Sequence, residues 1–402
     1  MLTIKNTGLM KKIYLVMASL LVMAGCSNDE LVDVNVTPKQ AITFGNVFVE
    51  NSTRAAVDPS YNDTKLVESF KVYGKVTGSN NNVANIFDGD VVSKPTSLTS
   101  YNSTTVWTCS EIQYWIPSCS YDFIAIVDGD YKEGEGESAT SFNEIVVPEN
   151  AHGMPSSIKY DVASQKDLLL ATSNVTTYEN GIPNTASGNT AASIAPVAFS
   201  FDHLLSKVKF TVTNGMPAKT VTTTGTNIYS YKVSNVRMTN AVKKGSYDIT
   251  NSLWSFETSN IPSYTEQAPL SFGNVIGTLD ATNNPNNEAT AISEGQSAES
   301  HYERLLLPYK YEATKLNIKF TVDLLVNGTV INTKNYEANI AVEFNKGYAY
   351  NFNITLALDK KIEFTLSSVT DWVTDLNGDA EGTGNPIELE EVEITESQDP
   401  AA

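Results

Sequence analysis

The chain has 402 residues, enough for about two or three domains. Hydrophobic residues make up 41% and charged residues 18%, with 19 Tyr against 15 Phe, a mixture suited to strands with one packed face and one wet face. A net charge of −19 and a pI near 4.6 argue against nucleic acid as a partner, because its phosphates would be repelled.

The first readable element is an address. Lys11 and Lys12 precede an apolar run over residues 13–23, which ends in Met23-Ala24-Gly25-Cys26. A basic start and a short apolar core mark an export signal over residues 1–25, too short to span a bilayer comfortably. Translation from Met10 rather than Met1 would give a more compact signal. The small residues before Cys26 resemble a lipobox, in which the thiol is acylated and becomes the new N-terminus; a plain cleaved signal is the alternative.

From about Ala41 onward the dominant signal is alternation of apolar and polar residues. The first strand candidate carries Ile42, Phe44, Val47 and Val49, at spacings of two, three and two. The extra residue falls at Gly45-Asn46, where a bulge would restore one buried face. Next comes Asn51-Ser52-Thr53-Arg54-Ala55-Ala56, whose small polar neighbours predict an exposed loop open to proteases. Asp88-Gly89-Asp90 and Asp128-Gly129-Asp130 read as turns, since each lacks the ligand spacing of a calcium loop. Trp107, Tyr114 and Trp115 form an aromatic patch suited to core packing or, alternatively, to stacking a carbohydrate. Beside them, Cys109 and Cys119 could close a disulfide in an exported chain, or stay as two separate thiols; without further ligands they make no zinc site.

Residues 181–193 are polar and read as a linker, and strands resume at Val197-Ala198-Phe199. Residues 281–299 read as a second long connection. Strict alternation follows at Val208, Phe210 and Val212, at Leu316, Ile318, Phe320, Val322 and Leu324, at Tyr350, Phe352, Ile354, Leu356 and Leu358, and at Ile362, Phe364 and Leu366. The fold class is therefore all-β, with sandwiches expected. Near the end Ile387, Leu389, Val392 and Ile394 repeat the two, three, two spacing of the first strand, so this tail has the rhythm to occupy the same kind of slot. A disordered tail, or one packed on its own domain, is the alternative.

Catalytic signatures are absent from the sequence. Its three histidines are His152, His203 and His301, with no H-E-x-x-H spacing, no G-x-S-x-G elbow and no P-loop. No cofactor or metal is implied, and an enzyme is not expected.

Taken in order, the lipobox at Cys26, Ile42-Thr43-Phe44 leading to Thr53-Arg54-Ala55, Phe70-Lys71-Val72-Tyr73, Asp167-Leu168-Leu169-Leu170-Ala171, Phe199-Ser200-Phe201-Asp202-His203, Leu307-Pro308, Gly347-Tyr348 and Val369-Thr370-Asp371-Trp372 together resemble the fimbrillin family. Ser27-Asn28-Asp29-Glu30 is similar to the surface-export signal of Bacteroidetes lipoproteins. The resemblance implies a pilus subunit with two tandem transthyretin-like β-sandwich domains, carried as a lipoprotein to the outer membrane and the cell surface. It implies cutting by an Arg-specific protease between Arg54 and Ala55, and polymerisation with other pilin subunits by strand exchange. The expected organisation is a signal peptide over 1–25, a lipidated pro-segment with the first strand over 26–54, sandwiches over 55–190 and 191–375, and an acidic tail over 376–402. The rival reading is a surface lipoprotein that binds glycans or host ligands and never polymerises.

Overall fold

Alternating apolar residues need a strand with one dry face, and the alternating segments do form strands. A computed structural model describes residues 39–49, 69–96, 106–127, 144–184, 194–214, 220–222, 225–227, 229–256, 269–275, 279–280, 289–293, 303–356, 363–371 and 394–396. The first nine strands are β1 (Phe44–Val49), β2 (Ser69–Thr77), β3 (Val83–Ser93), β4 (Val106–Cys109), β5 (Ser120–Val127), β6 (Glu144–Val146), β7 (Ser157–Asp161), β8 (Leu169–Thr177) and β9 (Pro183–Asn184). The middle of the chain holds β10 (Val197–His203), β11 (Ser206–Asn214), β12 (Thr220–Thr222), β13 (Gly225–Asn227), β14 (Tyr229–Thr239), β15 (Lys244–Asp248) and β16 (Leu253–Phe256). Then follow β17 (Leu270–Val275), β18 (Leu279–Asp280), β19 (Ala289–Ser293), β20 (Arg304–Leu306), β21 (Lys310–Val326), β22 (Thr329–Glu343), β23 (Tyr348–Leu356), β24 (Glu363–Asp371) and β25 (Ile394–Glu396). Among the described residues the helical content is one 3-10 turn at Val162–Ser164, so the chain is all-β.

The first sheet runs β10-β1-β4-β3-β2-β5-β8-β9, and β10 also pairs with β8. Seven of its strands therefore close into a barrel-like ring, where two facing sheets were expected. The cause is β10, whose Val197–Phe201 stretch pairs with β1 while Asp202 and His203 pair with β8. Closure leaves those edges paired rather than open. Phe70, Val72, Phe87, Trp107, Tyr121, Phe123, Phe199 and Phe201 belong to the core inside it.

The other faces of β2, β5 and β8 are not wet. Tyr73, Ile124, Ile126 and Leu170 belong to a second core with Leu204, Leu205, Val208 and Phe210. Burial on both faces explains the unbroken apolar run Phe123-Ile124-Ala125-Ile126. The second core is covered by an 11-stranded sheet, order β24-β23-β11-β19-β17-β14-β21-β22-β25, with β18 on β14 and β20 on β11. Leu316, Ile318, Phe320 and Val322 of β21 are all buried there, as their spacing requires.

Pairings run across residues 181–193, the expected linker. β10 joins the first sheet from beyond it, and β7 pairs with β15 within the small sheet β16-β15-β7-β6. Two local readings are corrected. Residues 289–293 form β19 inside the expected connection; their small side chains, Ala-Thr-Ala-Ile-Ser, give little alternation to read. Asp88-Gly89-Asp90 lies within β3 as a bulge rather than in a turn. Val72 and Tyr73 face Asp90 and Asp88, leaving Gly89 over, at φ 81°. A Cβ on Gly89 would sit 3.0 Å from the Tyr73 hydroxyl, so glycine satisfies both the dihedral and the space.

Candidate functional site

The segment that sequence spacing singled out lies in a slot of the first sheet. β1 is parallel to β10, in the register Phe44 to Val197, Gly45 to Ala198, Val47 to Phe199 and Val49 to Phe201. The register shifts between Gly45 and Val47, leaving Asn46 as the inserted residue. On its other side β1 is antiparallel to β4, Phe44 facing Trp107 and Gly45 facing Val106. The slot continues upstream, where the Ile42 amide donates to Gln113 O at 2.8 Å and the Trp115 amide to Gln40 O at 2.9 Å. The Val197 amide donates to Thr43 O at 2.7 Å. Two stretches far apart in sequence, 106–115 and 197–201, thus make the walls.

Phe44 is the anchor. Its ring is fully buried among four others: Phe87 at 5.3 Å between centroids, Phe199 at 5.8 Å, Phe123 at 6.0 Å and Phe70 at 6.5 Å. Phe199 stacks on it, and the other three meet it edge to face, arrangements that favour aromatic pairs beyond simple burial. Ile42 is also buried. Gly74 of β2 makes room beneath, since a Cβ there would lie 3.0 Å from both the Phe87 and Phe123 rings.

The aromatic patch divides. Trp107 and Trp115 are core residues, and Trp115 meets Tyr121 edge to face at 4.7 Å. Tyr114 is exposed. The Tyr121 hydroxyl accepts the Ile116 amide at 2.6 Å, and burial pushes its pKa up to about 12. Cys109 and Cys119 are free, half-buried thiols, each pushed upward in pKa first by burial. The Cys119 thiol donates to Pro117 O at 3.3 Å.

His203 is buried at the β10–β8 junction, with Nδ1 2.8 Å from Asp167 Oδ2, an arrangement that ties strand to loop. His152 occupies a turn at φ 50°. His301 lies outside the described residues. Among the described residues no group of three or more His, Cys, Asp or Glu could hold a metal ion, and no helix is long and apolar enough to cross a membrane.

Cys26, Arg54 and Ala55 lie outside the described residues, as do Ile387, Leu389 and Val392. Ile394 begins β25, which pairs antiparallel with β22, Ile394 opposite Ala338 and Glu396 opposite Tyr336. The walls of the β1 slot were not found from sequence. The spacing of Val197, Phe199 and Phe201 announced a strand, but alternation carries no information about which strand pairs with which.

A family model described as fimbrillin-like matches residues 53–372. The chain therefore belongs to the fimbrillin-like family. No curated protein matches it. Among solved structures it is similar to a fimbrial protein from Bacteroides vulgatus, at 14% identity and a TM-score of 0.49, over 82% of this chain and 99% of that one. It is also similar to a tip fimbrial protein from Porphyromonas gingivalis with C-terminal truncation, at 11% identity and a TM-score of 0.30, over 83% of this chain and 100% of that one.

Proposed function

We propose that the protein is a structural subunit of a fimbria, polymerised by exchange of β1 for a strand from a neighbouring pilin and supporting adhesion. Family membership supports a fimbrial role at a cell-surface appendage. The observation that carries the exchange is the seating of β1. It is inserted between β10 and β4, and Phe44 anchors it in a pocket built wholly by other strands. In this reading the chain leaves the cell with the signal peptide 1–25 removed and Cys26 acylated in outer-membrane lipid. An Arg-specific protease then cuts between Arg54 and Ala55, severing both the lipid and β1 from the rest. The matched region, 53–372, leaves out β1 and the tail, the two segments that exchange.

An emptied slot would expose the backbone groups of β10 and β4 and an aromatic pocket, so it favours a new strand. Four apolar side chains at roughly 1.5–3 kcal/mol each give an upper range of about 6–12 kcal/mol, from which the ordering of a tail subtracts. The tail over 376–402, with Ile387, Leu389, Val392 and Ile394, is the donor toward a neighbour. The body is read as two tandem domains of transthyretin-like type, 55–190 and 191–375, with β10 reaching back into the first. No catalytic role is assigned.

One observation favours the rival reading, a surface lipoprotein that binds glycans or host ligands without polymerising: β25 pairs with β22 of its own chain. Deleting residues 384–402 separates the two. The exchange reading expects a folded monomer that no longer polymerises after trimming, and polymers of full strength from that deletion would reject it.

A further inference from the structure

The slot is more selective than a groove that takes any apolar strand. We propose that the Phe44 pocket selects the occupant: a strand carrying an aromatic residue at the position of Phe44, supplied by a different subunit rather than by a second copy of this chain. The inference rests on the exchange reading and narrows its partner.

β1 itself supplies none of the pocket's walls. Phe70, Phe87, Phe123 and Phe199 come from β2, β3, β5 and β10, and all four are buried in the same core. A Cβ on Gly74 would sit 3.0 Å from the Phe87 and Phe123 rings, so its absence lets the two rings close the floor. Without β1 the slot would hold a ring-lined hole of the size of a phenylalanine side chain, and a packed interior relaxes only partially around a smaller occupant. The next position discriminates little, because Gly45 lies between Ala198 of β10 and Val106 of β4, both of which are exposed.

This chain's own tail fails at that pocket. Matching its two, three, two spacing to β1 sets Ile387 on Ile42, Leu389 on Phe44, Val392 on Val47 and Ile394 on Val49. Leu389 then enters the pocket without a ring and forfeits four aromatic contacts. The tail therefore suits another subunit's slot, and this slot suits another subunit's tail.

Two synthetic peptides spanning residues 385–396 test the proposal on the full chain trimmed after Arg54. One has the native sequence, and the other carries Leu389→Phe. The proposal expects the substituted peptide to bind at least about tenfold more tightly, the scale set by losing one or more aromatic contacts. Equal binding, or tighter binding of the native peptide, overturns the selectivity and leaves strand exchange standing. Uptake of neither peptide overturns both. Independently of trimming, Phe44→Leu is made in the uncut chain and amide exchange is followed along β10. Loss of protection by about tenfold or more supports the proposal, and unchanged protection overturns it.

Discussion

Phe44 and Phe199 stack with centroids 5.8 Å apart and planes 20° apart, joining the first described strand to one that begins at Val197. The contact spans the whole sequence of the first sheet, so loss of β1 opens the ring that β10 closes. Phe44→Ala empties a fully buried aromatic site and is expected to lower the unfolding free energy by about 3–5 kcal/mol. Denaturant titration of the uncut chain checks it.

The inserted residue of β1 is the next test. Deleting Asn46 forces residues 47–49 one step along β10 or breaks their pairing, because register on a two-residue period tolerates no single slip. Amide exchange along Val197–Phe201 is expected to accelerate at least about tenfold, a destabilisation on the order of 1.4 kcal/mol or more. Asn46→Gly, which keeps the residue count, is expected to leave protection close to native.

Gly74 tests the floor of the pocket. Gly74→Val introduces a branched side chain whose first atom already falls 3.0 Å from two rings, and overpacking of this kind costs about 1–3 kcal/mol. A melting curve would show the loss. The variant should be trimmed at Arg54 like the native chain, since the change is on β2.

Tyr121 sets a pH dependence. Burial raises its pKa from 10.0 to about 12, so the folded state favours the neutral phenol. The stability this supplies is complete below pH 10 and is lost as pH rises from 10 to 12, because the unfolded chain ionises first. The slope is about 1.4 kcal/mol per pH unit. Tyr121→Phe is expected to flatten the stability profile by that amount across this window, as measured by denaturation at a series of alkaline pH values. Tyr160 and Tyr350, raised by burial in the same direction, keep their share of the slope in the variant.

Sequence carried the strand identities well and their partners poorly. The spacing of Leu316, Ile318, Phe320 and Val322 is set by one buried face, and β21 buries all four. The added residue in β1 was legible for the same reason: spacings of two, three and two require a register shift, and it lies between Gly45 and Val47. Partner choice depends on long-range pairing, which alternation does not encode, so the parallel β1–β10 pair and the Gln40–Gln113–Trp115 wall came only from the structure. The same gap hid the closure of the first sheet, because β10 begins after a linker-like stretch. Phe123-Ile124-Ala125-Ile126 lost its alternation to a second core on the outer face.

The most direct measurement follows the purified precursor before and after an Arg-specific protease, by intact mass and by electron microscopy together, with its partner subunits present. The account predicts a mature N-terminus at Ala55, departure of the fragment bearing Phe44, and filaments that appear only after the cut. A chain cleanly severed after Arg54 that keeps the Phe44 fragment bound and stays monomeric at every concentration would contradict it.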